Sequence, residues 1–370
     1  MKEIRRIIRF YDELKAENTP CALAVVVDVK QSSYRRIGAR LLVAEDGRFV
    51  GGISGGCLEG DALQRAKSAI QLGRPVARTY DTTEGEDATI GIGLGCEGRI
   101  EVAFIPMDFT EQWNEIELLR SVVDTRIPRV MLRHLDTVLM SGEPQFEVSL
   151  FQPEADRFTL YLPFEPAIPH QFHGESLNAL AKGRSSVKTI RGERGFPHRV
   201  LFEVLHPRPR LILTGYNYDI PAALRAAKLL DWEVWVVAPL RKMTKEITSL
   251  ADRVLDYGQV KEVPVDEATA VVLMSHDYEW DRKMVQHFLP LKPIYLGMLG
   301  PRKRMLKMDE SLPDLELAAY PNLYAPVGLD VGAETPEEIA AALISEIIMV
   351  LRGRSGGALR ERGGPIHENA

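Results

Sequence analysis

Two cysteines that lie among glycines are the residues in this sequence best suited to chemistry. Cys57 follows Gly55 and Gly56 and stands two residues before Glu59, where a helical pattern begins. Glycines allow the backbone to approach a ligand closely and to point its amides at an anion. A thiol at the start of a helix has its thiolate stabilised by the helix dipole and by free amides. The segment therefore predicts a reactive or ligand-binding thiol, with a tight turn around a small buried thiol as the simpler alternative.

The second cysteine repeats this arrangement. Cys96 follows Gly95 in a glycine-rich segment that precedes a strand pattern. Each of the two loops borders a strand of the same predicted domain, so folding could bring Cys57 and Cys96 to one pocket. Such a pair suits a soft metal, a sulfur cargo or a ligand with anionic groups. A simple zinc site is not predicted, because no histidine lies at ligand spacing.

Four further residues are candidates for ligand binding. Arg40 closes an arginine-rich segment, and guanidinium groups bind phosphate well, although such clusters are often solvated loops. Gly215 and Asn217 follow a strand pattern and precede a helix, which is the setting of a dinucleotide fingerprint. His276 follows a predicted strand, at the edge where open α/β sheets bind ligands, with an ordinary turn histidine as the alternative.

The match to a nicotinamide-binding motif is weak. Of the three fingerprint glycines only Gly215 is present, and the next strand ends in Val-Val-Ala-Pro without a carboxylate for a ribose hydroxyl. Arg241 and Lys242 nearby could accept a 2′-phosphate, or could be solvent-exposed charges. The pattern thus favours the fold more strongly than it favours NAD(P).

The composition limits the class of protein that positions these residues. A length of 370 residues predicts two domains, and a net charge of −6 argues against a nucleic-acid binder. No apolar run is long enough to span a membrane. Three cysteines without a CxxC pair, and an N-terminus without an apolar signal stretch, predict a reducing, cytoplasmic setting.

The predicted fold class is α/β with two domains. Residues 1–207 are predicted to form an N-terminal α+β domain, with residues 110–205 as a β-rich extension of unassigned role. The prolines of the segment HPRPR mark a boundary. Strand and helix then alternate over residues 208–352, which predicts a Rossmann-like doubly wound parallel sheet. The glycine-rich residues 353–370 are predicted to be a disordered tail.

Several motifs together resemble the XdhC/CoxI family, over about residues 20–106 and 208–352. They occur in the order found in that family: GGISGGCLEG, then GLGC followed by GRIEV, the strand–turn–helix after PRPRLIL, SHD, GMLGPRKR and GLDVGAETPEEIA. The sequence departs from the usual pattern at two places. Glu97 replaces a glycine after the second cysteine, and Tyr216, Asn217 and Tyr218 replace smaller residues in the nucleotide turn.

The resemblance implies an accessory protein for xanthine dehydrogenase and related molybdenum hydroxylases. Such a protein binds the pyranopterin molybdenum cofactor (molybdopterin), supports its sulfuration by a cysteine desulfurase and delivers it to the apoenzyme. By the same resemblance, Cys57 and Cys96 hold molybdenum or sulfur, the neighbouring amides and Glu59 surround the cofactor, and Arg40 lies near the pterin phosphate. This role is that of a chaperone rather than of a multiple-turnover enzyme.

Two alternatives stay open on sequence alone. One is an NAD(P)-dependent oxidoreductase that uses the C-terminal domain, with Gly215, Asn217 and His276 at the cofactor. The other is a sulfur carrier with a persulfide on Cys57. The predicted partners are the hydroxylase and the desulfurase, without nucleic acid or membrane, and homodimerisation is left open.

Overall fold

The chain divides into two compact units. The computed structural model describes residues 1–31, 35–81, 98–135, 146–159, 167–191 and 197–363. One unit comprises Met1–Pro207 with Leu359–Ala370, and the other comprises Arg208–Ala358, so the junction lies within HPRPR. In the predicted tail, residues 353–363 include a 3-10 turn at Leu359–Glu361, and residues 364–370 lie outside the described residues.

The first unit begins with an antiparallel sheet. Its elements are α1 (Lys2–Glu17), β1 (Cys21–Gln31), β2 (Arg40–Ala44), β3 (Phe49–Gly51), α2 (Glu59–Leu72), β4 (Val76–Asp81) and β5 (Gly98–Pro106). The described strands run in the order β3-β2-β1-β5-β4. Helix α1 buries Ile7, Tyr11 and Leu14 along one face, as its apolar spacing predicts. Strands β2 and β3 pair as a hairpin around the turn that contains Asp46 and Gly47.

A second antiparallel sheet forms the β-rich extension. Its elements are α3 (Glu115–Val122), β6 (Arg129–His134), β7 (Val148–Gln152), β8 (Arg157–Phe158), α4 (Ala167–Lys182), β9 (Ser186–Arg191) and β10 (Pro197–Leu205). The described strands run in the order β8-β7-β6-β10-β9. One apolar core joins Leu23 and Val25 of the first sheet to Leu150 and Leu201 of the second. The extension is therefore a sheet packed on the first one, with helix α4, which the sequence analysis did not predict, on its other face.

The second unit is a parallel sheet with helices on both faces. Its elements are β11 (Arg210–Thr214), α5 (Asp219–Leu229), β12 (Glu233–Val237), α6 (Lys245–Leu250), β13 (Arg253–Leu255), β14 (Thr269–Leu273), α7 (Tyr278–Phe288), β15 (Tyr295–Met298), α8 (Arg302–Ser311), β16 (Leu323–Tyr324) and α9 (Pro336–Leu351). The strand order β13-β12-β11-β14-β15-β16 confirms the predicted Rossmann topology. The order reverses between β11 and β14, and this switch point is where such sheets bind ligands.

Among the residues that the structure describes, no helix is both long enough and apolar enough to cross a membrane.

Candidate functional site

Cys57 lies in a loop that joins β3 to α2, and residues 52–58 are called the Cys57 loop below. Ser54 organises this loop, because its Oγ accepts hydrogen bonds from the amides of Gly56 (3.2 Å) and Leu58 (3.0 Å). Gly56 has a φ of +113°, which L side chains rarely adopt. A Cβ built on Gly56 would meet no atom of the described residues within 4 Å, so these residues leave this side of the loop open.

Glu59 folds back onto the same loop. Its carboxylate accepts hydrogen bonds from the amides of Ile53 (3.2 Å) and Ser54 (2.9 Å) and from the Ser54 hydroxyl. Burial raises the pKa of Glu59, but these hydrogen bonds outweigh burial and lower the pKa below its usual value. Both carboxylate oxygens thus act on the loop, and Glu59 holds the position of Cys57 rather than presenting a free group to a ligand.

The described cysteines differ in access. Cys57 is partly exposed, and the amides of Gly55 and Cys57 have no hydrogen-bond acceptor within the described part of the chain. Cys21 is 1% exposed, and burial raises the pKa of its thiol to about 12. Of these two thiols, Cys57 is the one that a ligand can reach. Gly95 and Cys96 lie outside the described residues, so their predicted roles stay predictions.

Arg40 has a different role from the one the family resemblance implied. Its guanidinium is 2% exposed and donates to Glu115 (2.8 Å), to both oxygens of Glu203 (2.7 and 2.6 Å), to the carbonyl of Gly38 (2.7 Å) and to the sulfur of Met131 (3.7 Å). These contacts use all five N–H groups of an arginine. The expected contact between Arg40 and a pterin phosphate does not fit this structure, because no donor is left for it.

Arg40 belongs to a buried charge cluster between the two sheets of the first unit. Arg133, 1% exposed, pairs with the other oxygen of Glu115. Burial raises the pKa of Glu115, but the charges of Arg133 and Arg40 outweigh burial and hold the pKa below its usual value. The carbonyl of Arg40 also accepts a hydrogen bond from the amide of Gly52 (2.8 Å). The cluster therefore fixes the base of the Cys57 loop.

Both ends of the segment that contains Cys96 are attached to the first sheet near the start of α2. Residues 82–97 connect Asp81, the last residue of β4, to Gly98, the first residue of β5, and these strands are neighbours. The hydroxyl of Tyr80 donates to the carboxylate of Asp61 in the first turn of α2 (2.7 Å). The first turn of α2 thus lies beside the end of β4 and the start of β5, where residues 82–97 are attached. The Cys57 loop directly precedes this turn.

These residues suit a cofactor with sulfur and anionic groups. A thiolate is a soft ligand, and unpaired amides bind anions. The described residues contain no group of three or more His, Cys, Asp or Glu side chains that could hold a metal ion. A metal site formed by Cys57 with Cys96 stays a prediction, because the second thiol lies outside the described residues.

In the Rossmann unit, the turn after β11 packs tightly against the turn after β14. Gly215 has a φ of +131°, and a Cβ there would lie 2.5 Å from the carbonyl oxygen of Met274, so only glycine fits. The Nδ2 of Asn217 donates to the same carbonyl (2.5 Å), and its Oδ1 accepts from the amide of Asp219 (3.2 Å). Gly215 and Asn217 therefore fasten the first turn of the unit to the neighbouring strand end.

His276, in the turn after β14, contacts the first turn of α5 across the switch point. Its Nε2 lies 3.2 Å from the Oδ2 of Asp219, and its backbone has a φ of +58°, in the left-handed region. The side chain of His276 is 53% exposed, whereas that of Asp219 is 4% exposed. The structure thus brings together the three predicted residues Gly215, Asn217 and His276. Asp219 was missed; an acid in the first helical turn after a glycine turn was the available signal.

The fold and site define a class: an α+β unit with an accessible thiol on a glycine-rich loop, followed by a Rossmann unit. Family profiles match both units. The profile described as XdhC and CoxI family matches residues 14–81, and the profile described as XdhC Rossmann domain matches residues 211–347. The chain belongs to the XdhC/CoxI family.

Full-length relatives support this membership. The chain is 29% identical to a Bacillus subtilis protein whose name describes it as a probable subunit of xanthine dehydrogenase, over 91% of this chain and 95% of the relative. It is 24% identical to the Escherichia coli protein named molybdenum cofactor insertion chaperone PaoD, over 94% of this chain and 88% of the relative. A Bacillus halodurans crystal structure named as a xanthine dehydrogenase has the same fold, with a TM-score of 0.73 at 24% identity, over 94% of this chain and 96% of that one.

Proposed function

We propose that this protein binds the molybdenum cofactor and acts in the maturation of a molybdenum hydroxylase. The names of the two curated relatives support a role in this process. The observation that carries the proposal is the open Cys57 loop, which precedes α2 at the end of the sheet where residues 82–97 begin and end. A loop with an accessible thiol and unpaired amides at that place is suited to holding a cofactor with sulfur and anionic groups.

Each part of the loop has its own task in this proposal. Cys57 holds the metal or its sulfur, together with Cys96 if the two thiols meet as predicted. The amides of Gly55 and Cys57 bind anionic atoms of the cofactor, and Gly56 leaves room for them. When bound, the cofactor supplies the molybdenum centre that the hydroxylase later uses. Ser54 and Glu59 keep the loop in shape and do not contact the cofactor.

The remaining steps of the proposal concern partners. A cysteine desulfurase would supply the terminal sulfur while the cofactor is held, and a xanthine dehydrogenase-type apoenzyme would receive the finished cofactor. In this proposal the protein works in the cytoplasm as a chaperone, and the name of the relative PaoD, an insertion chaperone, supports the chaperone role.

Cofactor retention by the full chain tests the thiol assignment. Wild type, Cys57→Ala and Cys21→Ala would each be purified from a molybdenum-sufficient host. Bound molybdenum would be measured by elemental analysis, and bound pterin by fluorescence after oxidation. We expect wild type and Cys21→Ala to retain cofactor and Cys57→Ala to lose most of it. Undiminished retention by Cys57→Ala would refute the role of Cys57, and loss in Cys21→Ala as well would indicate a general folding defect.

A persulfide on Cys57 would extend this function to sulfur carriage. The accessibility of Cys57 allows a desulfurase to reach it, whereas Cys21 is sealed. Mass spectrometry of the Cys57 peptide after incubation with a desulfurase and cysteine decides the matter. A sulfur adduct that a thiol reductant removes would assign carriage, and an unmodified peptide would leave cofactor holding alone.

A further inference from the structure

The Rossmann topology of the second unit implies a dinucleotide at its switch point. In that fold the pyrophosphate lies at the N-terminus of the first helix, where free amides and the helix dipole favour negative charge. The corresponding helix here is α5, which follows β11 and the turn at Gly215. The place that a pyrophosphate would take is called the phosphate seat below. Its fit to a dinucleotide is decided by the side chains around it.

Asn217 occupies the amide side of this seat. Its Oδ1 accepts the amide of Asp219, the first residue of α5, at 3.2 Å. A bound phosphate would need that donor for itself. The position of Asn217 is that of the second fingerprint glycine, which normally lets the backbone approach the pyrophosphate. The Asn217 side chain instead spans the gap to the carbonyl of Met274 on the neighbouring strand end.

Asp219 places a negative charge in the same seat. Its carboxylate is 4% exposed and belongs to the first turn of α5, where it already satisfies the helix dipole. Its partner across the switch point is the imidazole of His276, at 3.2 Å. A pyrophosphate at this helix end would have to approach a buried carboxylate with the same sign of charge. That approach is unfavourable, because the carboxylate is sealed from the solvent that would screen it.

Neither Gly215 nor strand β12 provides another contact that could hold a dinucleotide. Gly215 makes the tight turn against the backbone of Met274 and Ser275, as the first fingerprint glycine does, and its amide already donates to the carbonyl of Val237 (3.0 Å). Strand β12 ends at Val237 and is followed by Ala238 and Pro239, so no carboxylate there can bind a ribose hydroxyl. The side chains of Asn217 and Asp219 thus lie at the phosphate seat, and β12 provides no acid for the ribose.

We propose that the second unit is a Rossmann fold whose phosphate seat is occupied by its own side chains, Asn217 and Asp219, so that it binds no nicotinamide dinucleotide. This inference goes beyond the proposed cofactor role, which rests on the first unit. The contacts Asn217–Met274 and Asp219–His276 tie the turns after β11 and β14 together across the switch point. His276 is half-exposed at this edge, and the side chains of Tyr216 and Tyr218 in the turn itself are exposed as well.

Titration of the full chain with NADH and NADPH tests the proposal. Binding would be followed by nicotinamide fluorescence and by calorimetry, for wild type and for the double variant Asn217→Gly/Asp219→Ser. We expect no saturable response from wild type up to about 1 mM. The double variant restores the glycine and removes the carboxylate, so we expect its affinity to rise at least about tenfold, into a measurable range.

Tyr218→Phe is the matched control, because it changes the same turn at a 74% exposed side chain without opening the seat. This variant, like wild type, should show no saturable binding of NADH or NADPH. Saturable micromolar binding by wild type would overturn the proposal. A double variant that is folded by circular dichroism but still silent would also overturn it, since Asn217 and Asp219 would not then be what keeps the ligand out. Neither outcome bears on cofactor retention through Cys57, so failure of this inference and failure of the proposed function are separable.

Discussion

Two glycine turns lead into helices in this molecule, one in each unit, and they differ in what their acidic residue does. In the Cys57 loop, Glu59 in the first turn of α2 bends back and accepts hydrogen bonds from its own loop. In the turn at Gly215, Asp219 in the first turn of α5 reaches forward to His276. Within the described part of the chain, the first arrangement leaves the amides of Gly55 and Cys57 without an acceptor, whereas the second places the side chains of Asn217 and Asp219 at the switch point.

The comparison shows that glycine near a helix start does not by itself make a binding site. Both turns satisfy the same demand, because an acid in the first turn complements the helix dipole. What differs is the neighbour that the acid meets. Among the described residues none lies within 4 Å of a Cβ built on Gly56, whereas a Cβ on Gly215 would lie 2.5 Å from the carbonyl oxygen of Met274. Access is therefore decided by packing from elsewhere in the fold.

Thiol labelling tests the openness of the Cys57 loop, and it carries the largest expected effect. Burial raises the pKa of the Cys21 thiol to about 12, so this side chain is almost entirely protonated at pH 8. Its burial slows the reagent further. We expect iodoacetamide to modify Cys57 at least about 1000-fold faster than Cys21 in the native protein, as measured by peptide mapping. If Cys57 reacts as slowly as Cys21 in the native protein, and both cysteines react at the same fast rate in urea, the loop is closed.

Arg40→Ala tests the buried charge cluster of Arg40, Glu115, Glu203 and Arg133, which supports the Cys57 loop. It leaves the carboxylates of Glu115 and Glu203 buried with fewer partners, which typically costs about 3–5 kcal/mol of the free energy of unfolding. Urea denaturation followed by circular dichroism measures this loss. The control is Arg120→Ala, which removes partly exposed ion pairs on α3 and should cost less than about 1 kcal/mol. Similar losses for the two variants would mean that the buried cluster does not anchor the unit.

The Arg40 cluster also marks where sequence reasoning ended. The α+β and Rossmann classes follow from local periodicity, and the parallel sheet of the second unit follows from strand–helix alternation. Glu203, however, lies 163 residues from Arg40 along the chain, and no periodicity pairs them. The sequence therefore predicts Arg40 as a phosphate-binding guanidinium, or as part of a solvated loop. Asp219 was missed for the same reason, since its partner His276 lies 57 residues away.

A pair of alanine substitutions sharpens the contrast between the two turns. Gly215→Ala forces a Cβ to within 2.5 Å of a backbone oxygen at a φ of +131°, and we expect a loss of about 3 kcal/mol in the stability of the second unit. Gly56→Ala has a φ of +113° but its Cβ meets no atom of the residues that the structure describes, so we expect a loss of about 1 kcal/mol from backbone strain alone. Thermal melts of the two variants would show the difference. A costlier Gly56→Ala would mean that the loop is packed rather than open.

The smallest effect concerns the charge of Glu59. Its pKa is lowered in the folded protein, so its contribution to holding the loop is complete above its unfolded value, near ~4.3, and is lost as the pH falls through the lower folded value. In wild type, we expect the amide resonances of Ile53 and Ser54 to shift together over that acidic range. In Glu59→Gln these shifts should vanish, and amide exchange at neutral pH should quicken several-fold, because a neutral amide accepts these hydrogen bonds less strongly.

Glu338→Gln provides the control for this experiment. Glu338 accepts hydrogen bonds from the amides of Glu334 and Thr335 at the start of α9, and these bonds also lower its pKa. The substitution therefore removes the same kind of contact in the other unit and should leave the Ile53 and Ser54 resonances unchanged. If Glu59→Gln kept the acid-dependent shifts, another group would hold the Cys57 loop. Glu59 would then not support its own turn, and the contrast with Asp219, which contacts His276 on the neighbouring strand end, would be wrong.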